Sequence, residues 1–418
     1  MDFEIPAEIR RKLAELDAFI EREIAPLERE HPQYFDHRRE HARTDWDNGG
    51  RPRHEWEKLL GEMRRRADAA GHLRFGLPKE LGGQGGSNLA MAVIREHLAA
   101  KGLGLHNDLQ NESSIVGNFP GAIMMLRFGT AAQKSEFLPG MLTGTHRVGF
   151  GLTEPDHGSD ATWLETTARR DGSEWVIDGR KRFNSGLHSA NWDMIFARTD
   201  GKPGDALGIT CFLVPTSAPG FSVDFMWWTF NMPSDHAEVT LSGVRVPESA
   251  VFGEVGRGLE LAQTFVHENR IRQAASGVGA AQYCIDESVA YARQRKVFGQ
   301  PLWHNQAIQF PLAELQTECE MVRNLVYKTA DALDRGHHMD VSDKVSMCNV
   351  RANRLVCDAA DRAIQVHGGI GYTRHKPFEH IYRHHRRYRI TEGSDEIQLR
   401  RIAGVLFGKR PKDARSEA

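Results

Sequence analysis

Apolar residues change their spacing twice along this chain, and that pattern restricts the fold more than any other feature. Ile5, Ile9, Leu13, Leu16, Ile20, Ile24 and Leu27 recur at steps of three and four, predicting an amphipathic helix with Pro26 near its end. Helical spacing, broken by loops, continues to about residue 145. Between 146 and 256 the apolar runs shorten to 175–177, 194–197, 209–214 and the pair Val239/Leu241, punctuated by Gly201-Lys202-Pro203-Gly204, Pro219-Gly220 and Pro247. Short strands and turns at this spacing predict an antiparallel β-domain, not βαβ units. Within it, Asp178-Gly179 reads as a hairpin turn. From Gly258 onward two helical stripes appear: Leu312, Leu315, Cys319, Val322, Val326, Thr329 and Leu333, then Val345, Cys348, Ala352, Leu355, Ala359, Ala363 and Val366. The small residues of the second let a neighbouring helix approach closely, as in an antiparallel bundle. Since 418 residues exceed one core, the expectation is an α+β protein in three parts. These are an N-terminal helical domain (1–145), a middle antiparallel β-domain (146–256) and a C-terminal four-helix-type bundle (257–418).

Composition removes several function classes. With 40% hydrophobic and 26% charged residues the chain is neither disordered nor fibrous. No stretch nears the ~18–20 apolar residues of a membrane span, and a formal charge of -2 gives no general reason to expect nucleic acid. Five cysteines without a CxxC pair suit reduced thiols, and the absence of a basic-then-apolar leader points to the cytoplasm. His37/His41 and His380/His384 share i,i+4 spacing but lack an HExxH frame, so they are expected to be solvated and no metal is expected. The Gly-rich 81–87 tract lacks a phosphate-loop ending and reads as an inter-helix turn. Gly277-Val278-Gly279 lies inside a helical pattern and reads as close helix packing. Residues 31–52 read as a long connection. The basic run 374–389 (Arg374, Lys376, Arg383, Arg386, Arg387, Arg389) suits a phosphorylated ligand, a nucleic acid or a subunit contact.

Four segments carry more specific chemistry. Thr153-Glu154-Pro155-Asp156-His157-Gly158-Ser159-Asp160 offers hydroxyls and a glycine where helices give way to strands. Arg295-Lys296-Val297-Phe298-Gly299-Gln300-Pro301, with Gln306, joins two helices around an aromatic plug. Gln365-Val366-His367-Gly368-Gly369-Ile370-Gly371-Tyr372 ends a helix in glycines. Glu392-Gly393-Ser394-Asp395-Glu396-Ile397-Gln398 opens a final helix with Ser394 as N-cap, Leu399, Ile402 and Leu406 as its apolar face, and Gly408 and Pro411 as its stop.

In this order the segments resemble the acyl-CoA dehydrogenase family of flavoproteins, through TEPxxGSD, YAxxRxxFGxPxxxxQ, QxxGGxGY and an EG followed by IQ. The resemblance covers nearly the whole chain and is thinnest across 31–52. It implies FAD as cofactor, an acyl-CoA substrate and an α,β-dehydrogenation to the trans-2-enoyl-CoA, with hydride passing to flavin N5. Glu392 stands at the position of the α-proton base. Some relatives place that base on the helix after the β-domain, where Asn269 stands here; Glu268 is one residue off. Leu152, Thr153, Gly158 and Ser159 match the strand-loop along the isoalloxazine ring, with Ser159 also near substrate. Phe183 and Ser185 match a flavin-contacting triplet in which Asn184 replaces an apolar residue. Arg295, Phe298, Gln306, Gln365 and Gly369 match positions that hold the adenosine and pyrophosphate of a neighbouring subunit's FAD, implying a homotetramer or homodimer. Ser394 and Glu396 fall beside that dinucleotide, and Arg270 and Gly393 beside the substrate. The implied electron acceptor is an electron-transfer flavoprotein. A flavin oxidase or monooxygenase of the same fold, and a non-catalytic scaffold, are the alternatives.

Overall fold

The computed structural model describes residues 4–108, 113–336 and 341–408, except the side chains of 266–268, so that of Glu268 lies outside the described residues, as does Pro411. Contacts divide the chain into two units: residues 1–38, 63–117 and 269–418 form the first, and 39–62 with 118–268 the second.

The first unit is helical. Helix α1 (Ala7–Phe19) continues through a π-turn at Ile20–Ile24 into Ala25–Glu30, burying Ile9, Leu16, Ile24 and Leu27. Helix α2 (Asn88–Ala99) is capped by Ser87, whose hydroxyl accepts from the Ala90 N–H at 3.1 Å. Further along are α3 (Gly258–Gln294), shared with the second unit, α4 (Gln306–Asp334), α5 (Ser342–His367), α6 (Phe378–Arg386) and α7 (Asp395–Leu406). The two predicted stripes meet in one core: Cys319, Val322 and Val326 of α4 and Cys348, Ala352, Leu355, Ala359 and Ala363 of α5 are buried with Ala274, Val278 and Ala281 of α3. Each fully buried Val or Leu there contributes about 1.5–3 kcal/mol. Gly279 is a packing glycine as expected, since a Cβ there would lie 2.1 Å from the Glu96 carbonyl oxygen of α2.

The histidines of the basic run differ from expectation. His380 and His384 are buried, with His385 beside them, because Phe378 and Ile381 turn one face of α6 inward and the histidines continue it at helical spacing. Two of the run's charges are met within the chain: Arg383 pairs with Glu379 at 2.7 Å and Arg389 with Asp395 at 3.0 Å.

The second unit is built on one eight-stranded sheet. Its strands are β1 (Val148–Gly151), β2 (Thr167–Asp171), β3 (Glu174–Ser185), β4 (Trp192–Arg198), β5 (Ile209–Pro215), β6 (Phe221–Met226), β7 (His236–Pro247) and β8 (Val251–Phe252). The order is β8-β5-β4-β1-β3-β7-β6, with β2 against β3 and β4. Pairing is antiparallel except where β4 runs parallel to β1 and touches β2. Asp178-Gly179 is not a turn. It is a bulge inside β3, which stays extended because β7 pairs with it from Glu174 to Ser185, and the hairpin turn falls at Gly172-Ser173 instead. Residues 31–52 are also more ordered than a connection. They include a helix at Arg39–Arg43 and a ladder of Thr44–Asp45 on Arg51–Pro52, and in the second unit the Gly50 carbonyl accepts from the Ser234 N–H.

Candidate functional site

The predicted residues fall into two sets, one in each unit. In the first unit, the chain leaving α6 passes Arg387–Arg389 and reaches Glu392 with φ 56°, followed by Gly393 at φ 92° and Ser394 at the N-cap of α7. Left-handed backbone costs a glutamate about 1–2 kcal/mol and persists only where neighbours enforce it. Here they do. The Glu392 carbonyl accepts from Arg270 Nε (3.0 Å), Arg270 Nη2 and Gln398 Nε2 (3.1 Å), and Gln398 also holds the Gly393 carbonyl. Burial pulls the Arg270 guanidinium down to about 10, with the Glu392 carboxylate opposing the shift. Arg270 thus fixes the main chain of Glu392. Asn269, at the alternative base position, donates from Nδ2 to Glu392 Oε1 at 3.3 Å.

Downstream, Ser394 makes no cap bond to the backbone of α7. Glu396, exposed, is drawn below the usual carboxylate range by its own N–H first and by the Ser394 hydroxyl second. Asp395 is the buried acid of the pair and takes Arg354 and Arg389, each at 3.0 Å.

Arg295 and Phe298 belong to a two-residue hairpin between α3 and α4, with β9 (Lys296–Val297) on β10 (Gln300–Pro301). Its corner is Phe298 (φ 50°) and Gly299 (φ 80°), the two positive φ values of a type I′ turn. Phe298 does not plug its own chain: it is 105% exposed. Gln306 opens α4 behind the Asn305 cap, and Gln365 lies in the last turn of α5, before Gly368 and Gly369; all are exposed.

In the second unit, Leu152, Thr153, Gly158 and Ser159 lie in the loop leaving β1, beside Phe183 and Ser185 at the end of β3. The loop's carbonyls are bonded inward: Leu152 O accepts from Lys181 Nζ (3.2 Å) and Thr153 O from the Arg182 N–H (2.8 Å). Gly158, Ser159, Phe183 and Ser185 are exposed. Phe183 has φ 59°, so among the described residues the non-glycine positions with positive φ are Phe183, Phe298 and Glu392, each drawn from a different motif.

Sequence reasoning missed the charges beneath this loop. Lys181 and Glu154 are 0% and 4% exposed and meet at 2.7 Å. Glu154 also accepts the Thr166 N–H at 2.9 Å and the Glu165 N–H. Burial alone would raise the Glu154 carboxyl, but the Lys181 ammonium and these donors outweigh it and hold it below its ordinary value. No sequence signal marked Lys181, which stands between Arg180 and Arg182 and reads as one more exposed cation.

An exposed edge of hydroxyls, backbone and aromatic rings, its carbonyls turned away, fits a flavin ring. An arginine hairpin and glutamine side chains fit a dinucleotide. Among the described residues there is no cluster able to hold a metal ion, no helix long and apolar enough to cross a membrane, and the five cysteines are free and buried.

Known proteins resemble this chain over nearly its whole length. Family models described as acyl-CoA dehydrogenase N-terminal, middle and C-terminal domains match residues 6–145, 149–244 and 256–407. The chain is 32% identical to the probable acyl-CoA dehydrogenase YngJ of Bacillus subtilis, over 97% of this chain and 100% of that one. It is 35% identical to the 3-(aryl)acrylate reductase of Clostridium sporogenes, over 79% and 86%. A solved structure of a putative acyl-CoA dehydrogenase from Mycobacterium abscessus superposes with a TM-score of 0.85 at 28% identity, covering 98% of this chain and 100% of that one.

Proposed function

The chain belongs to the acyl-CoA dehydrogenase family, and from that premise we propose that it converts an acyl-CoA thioester to the trans-2-enoyl-CoA with Glu392 as the base that takes the α-proton. It is an oxidoreductase and an FAD-binding flavoprotein; the bound FAD supplies the acceptor for the β-hydride. The observation that carries the reading is the enforced left-handed backbone of Glu392. A base that must meet one C–H bond gains from a fixed main chain. Arg270 and Gln398 hold the peptide, Asn269 steadies one carboxylate oxygen, and the Glu392 N–H is the donor we assign to the thioester carbonyl as enolate charge develops. Gly393 and Ser159 are the proposed neighbours of the acyl group.

Leu152, Thr153, Gly158, Ser159, Phe183 and Ser185 are the proposed contacts of the flavin ring. Arg295, Phe298, Gln306, Gln365, Gly369, Ser394 and Glu396 are the proposed contacts of a second copy's dinucleotide. The full exposure of Phe298, with Tyr372, Ile390, Leu406 and Phe407 also exposed in the same unit, supports a homodimer or homotetramer. The electron acceptor is proposed to be an electron-transfer flavoprotein, and the buried free thiols suit a reducing cytoplasm. Anaerobic mixing of the holoprotein with a panel of acyl-CoAs tests the reading: the flavin bleaches with the right chain. Glu392→Gln keeps FAD and loses at least ~10³-fold in rate. Near-normal bleaching by that variant removes Glu392 from the role, and rapid recolouring in air with peroxide turns the assignment to an oxidase.

A further inference from the structure

Strand β1 carries glycine at 149 and 151, two positions on one face, and lies between β4 and β3 with Gly149 opposite Asp193 and Phe150 opposite Ser185. Over that bare face the side chains of Asn184 (β3) and Asp193 (β4) meet, Asn184 Nδ2 donating to Asp193 Oδ2 at 2.5 Å. A Cβ at Gly151 would lie 2.5 Å from Asn184 Nδ2 and 2.8 Å from Ile195 Cδ1, and one at Gly149 would lie 2.5 Å from Leu187 Cδ2 and 2.8 Å from Asp193 Oδ1, so the pair shares with Leu187 and Ile195 the room the glycines leave. Both side chains are 0% exposed, and Asn184 Oδ1 and Asp193 Oδ1 are each buried without a hydrogen-bond partner. Two orphaned acceptors on one bonded pair are costly unless one carries a proton.

The surrounding charges require the same thing. The groups facing Asp193 are Lys181 from β3, already committed to Glu154, and the Cys211 thiol from β5, which burial and Asp193 keep neutral. One ammonium thus stands near two carboxylates in a dry interior. Glu154, with Lys181 and two N–H donors, is the ionised one. Burial pushes the Asp193 carboxyl up to about 7, against the Asn184 bond, the Lys181 charge and the Met194 N–H.

We propose that Asp193 is a neutral acid joined to Asn184 in a closed two-bond ring, Nδ2–H to Oδ2 and the acid O–H to Asn184 Oδ1, and that this ring is a positioning device clamping β1 between the two strands so that Leu152–Thr153 and Phe183–Ser185 keep the spacing a flavin ring needs. Loss of the proton puts a charge under Gly151, opens the ring and loosens the flavin edge. The coupling to flavin rests on the ring contacts proposed above; the shared proton does not.

Infrared spectroscopy and FAD titration of the apoprotein separate the two. Wild type at pH 6 shows a carbonyl band of a neutral carboxylic acid that fades as pH rises through neutrality. Asp193→Asn lacks the band, and Asn184→Leu keeps it at the higher frequency of an acid without a partner. FAD affinity of the wild type falls by roughly tenfold or more from pH 6 to pH 9, the effect of at least one unit of coupling. Asp193→Asn, whose amide closes the same ring without a titrating proton, holds the pH 6 affinity throughout. Identical spectra for wild type and Asp193→Asn overturn the shared proton. Identical FAD–pH profiles overturn the clamp. Failure of FAD to bind either protein at any pH overturns the flavin assignment while leaving the band in place.

Discussion

Replacing Lys181 by methionine removes the ammonium bonded to Glu154 and leaves a carboxylate at 4% exposure with two backbone donors. The cheapest relief is for Glu154 to take a proton. From an ordinary glutamate value that costs about 4 kcal/mol at pH 7, and only about 1 kcal/mol at pH 5. Glu154→Gln makes the opposite problem. Lys181, 0% exposed, must shed its proton, which costs about 5 kcal/mol at pH 7 and about 2 kcal/mol at pH 9. Both figures match the 3–5 kcal/mol typical of breaking a buried pair. The linkage signs are opposite. A carboxyl forced to stay protonated loses stability as pH rises above its unfolded value, and an amine forced neutral regains stability as pH rises toward its own. Thermal melts at pH 5, 7 and 9 read this directly. At pH 7 each single variant melts about 10 °C early, taking ~2–4 °C per kcal/mol for a unit of this size. The Lys181→Met deficit shrinks toward pH 5 and the Glu154→Gln deficit shrinks toward pH 9. The deficit of the double variant relative to wild type is flat with pH and within about 2 kcal/mol. Single-variant deficits that do not tilt in opposite directions would refute the buried-charge account.

Other expectations are narrower. Arg270→Lys offers one compact ammonium where a fork makes two bonds, so flavin reduction slows by at least ~10-fold while FAD stays bound. Asn269→Ala removes a donor to a charged oxygen and lowers kcat by ~10–100-fold with little change in KM. Phe298→Gly relieves left-handed strain and raises stability by about 1 kcal/mol, yet weakens FAD retention as measured by equilibrium dialysis. Asp193→Asn is more stable than wild type above pH 8 by up to about 4 kcal/mol. A carboxyl raised to about 7 in the folded state loses stability progressively as pH climbs from the ordinary carboxylate range to that value.

The helical half of the fold was legible because its signal is local. Cys348, Ala352 and Leu355 sit one turn apart and bury one face wherever the helix packs. Strand β3 was misjudged at Asp178-Gly179 because what keeps it straight is β7, far along the chain, and a local turn signal cannot report a distant partner. His380 and His384 were misjudged because imidazoles interrupt an apolar face that Phe378 and Ile381 nonetheless define. For the site, motif spacing led to Glu392, Phe183 and Phe298, while their backbone conformation left no mark in the sequence. The Asn184–Asp193 pair was half visible, since Asn184 stood out against its expected apolar type and Asp193 did not.

The backbone at position 392 has a consequence for how this protein can fail. A left-handed residue is the setting in which glycine is welcome, and the carbonyl that Arg270 and Gln398 grip belongs to the main chain, whatever side chain sits there. Exchange of Glu392 for glycine would erase the proposed chemistry while leaving the fold intact or slightly firmer. Cellular quality control, which senses unfolding, would let such a silent copy accumulate and assemble among working ones.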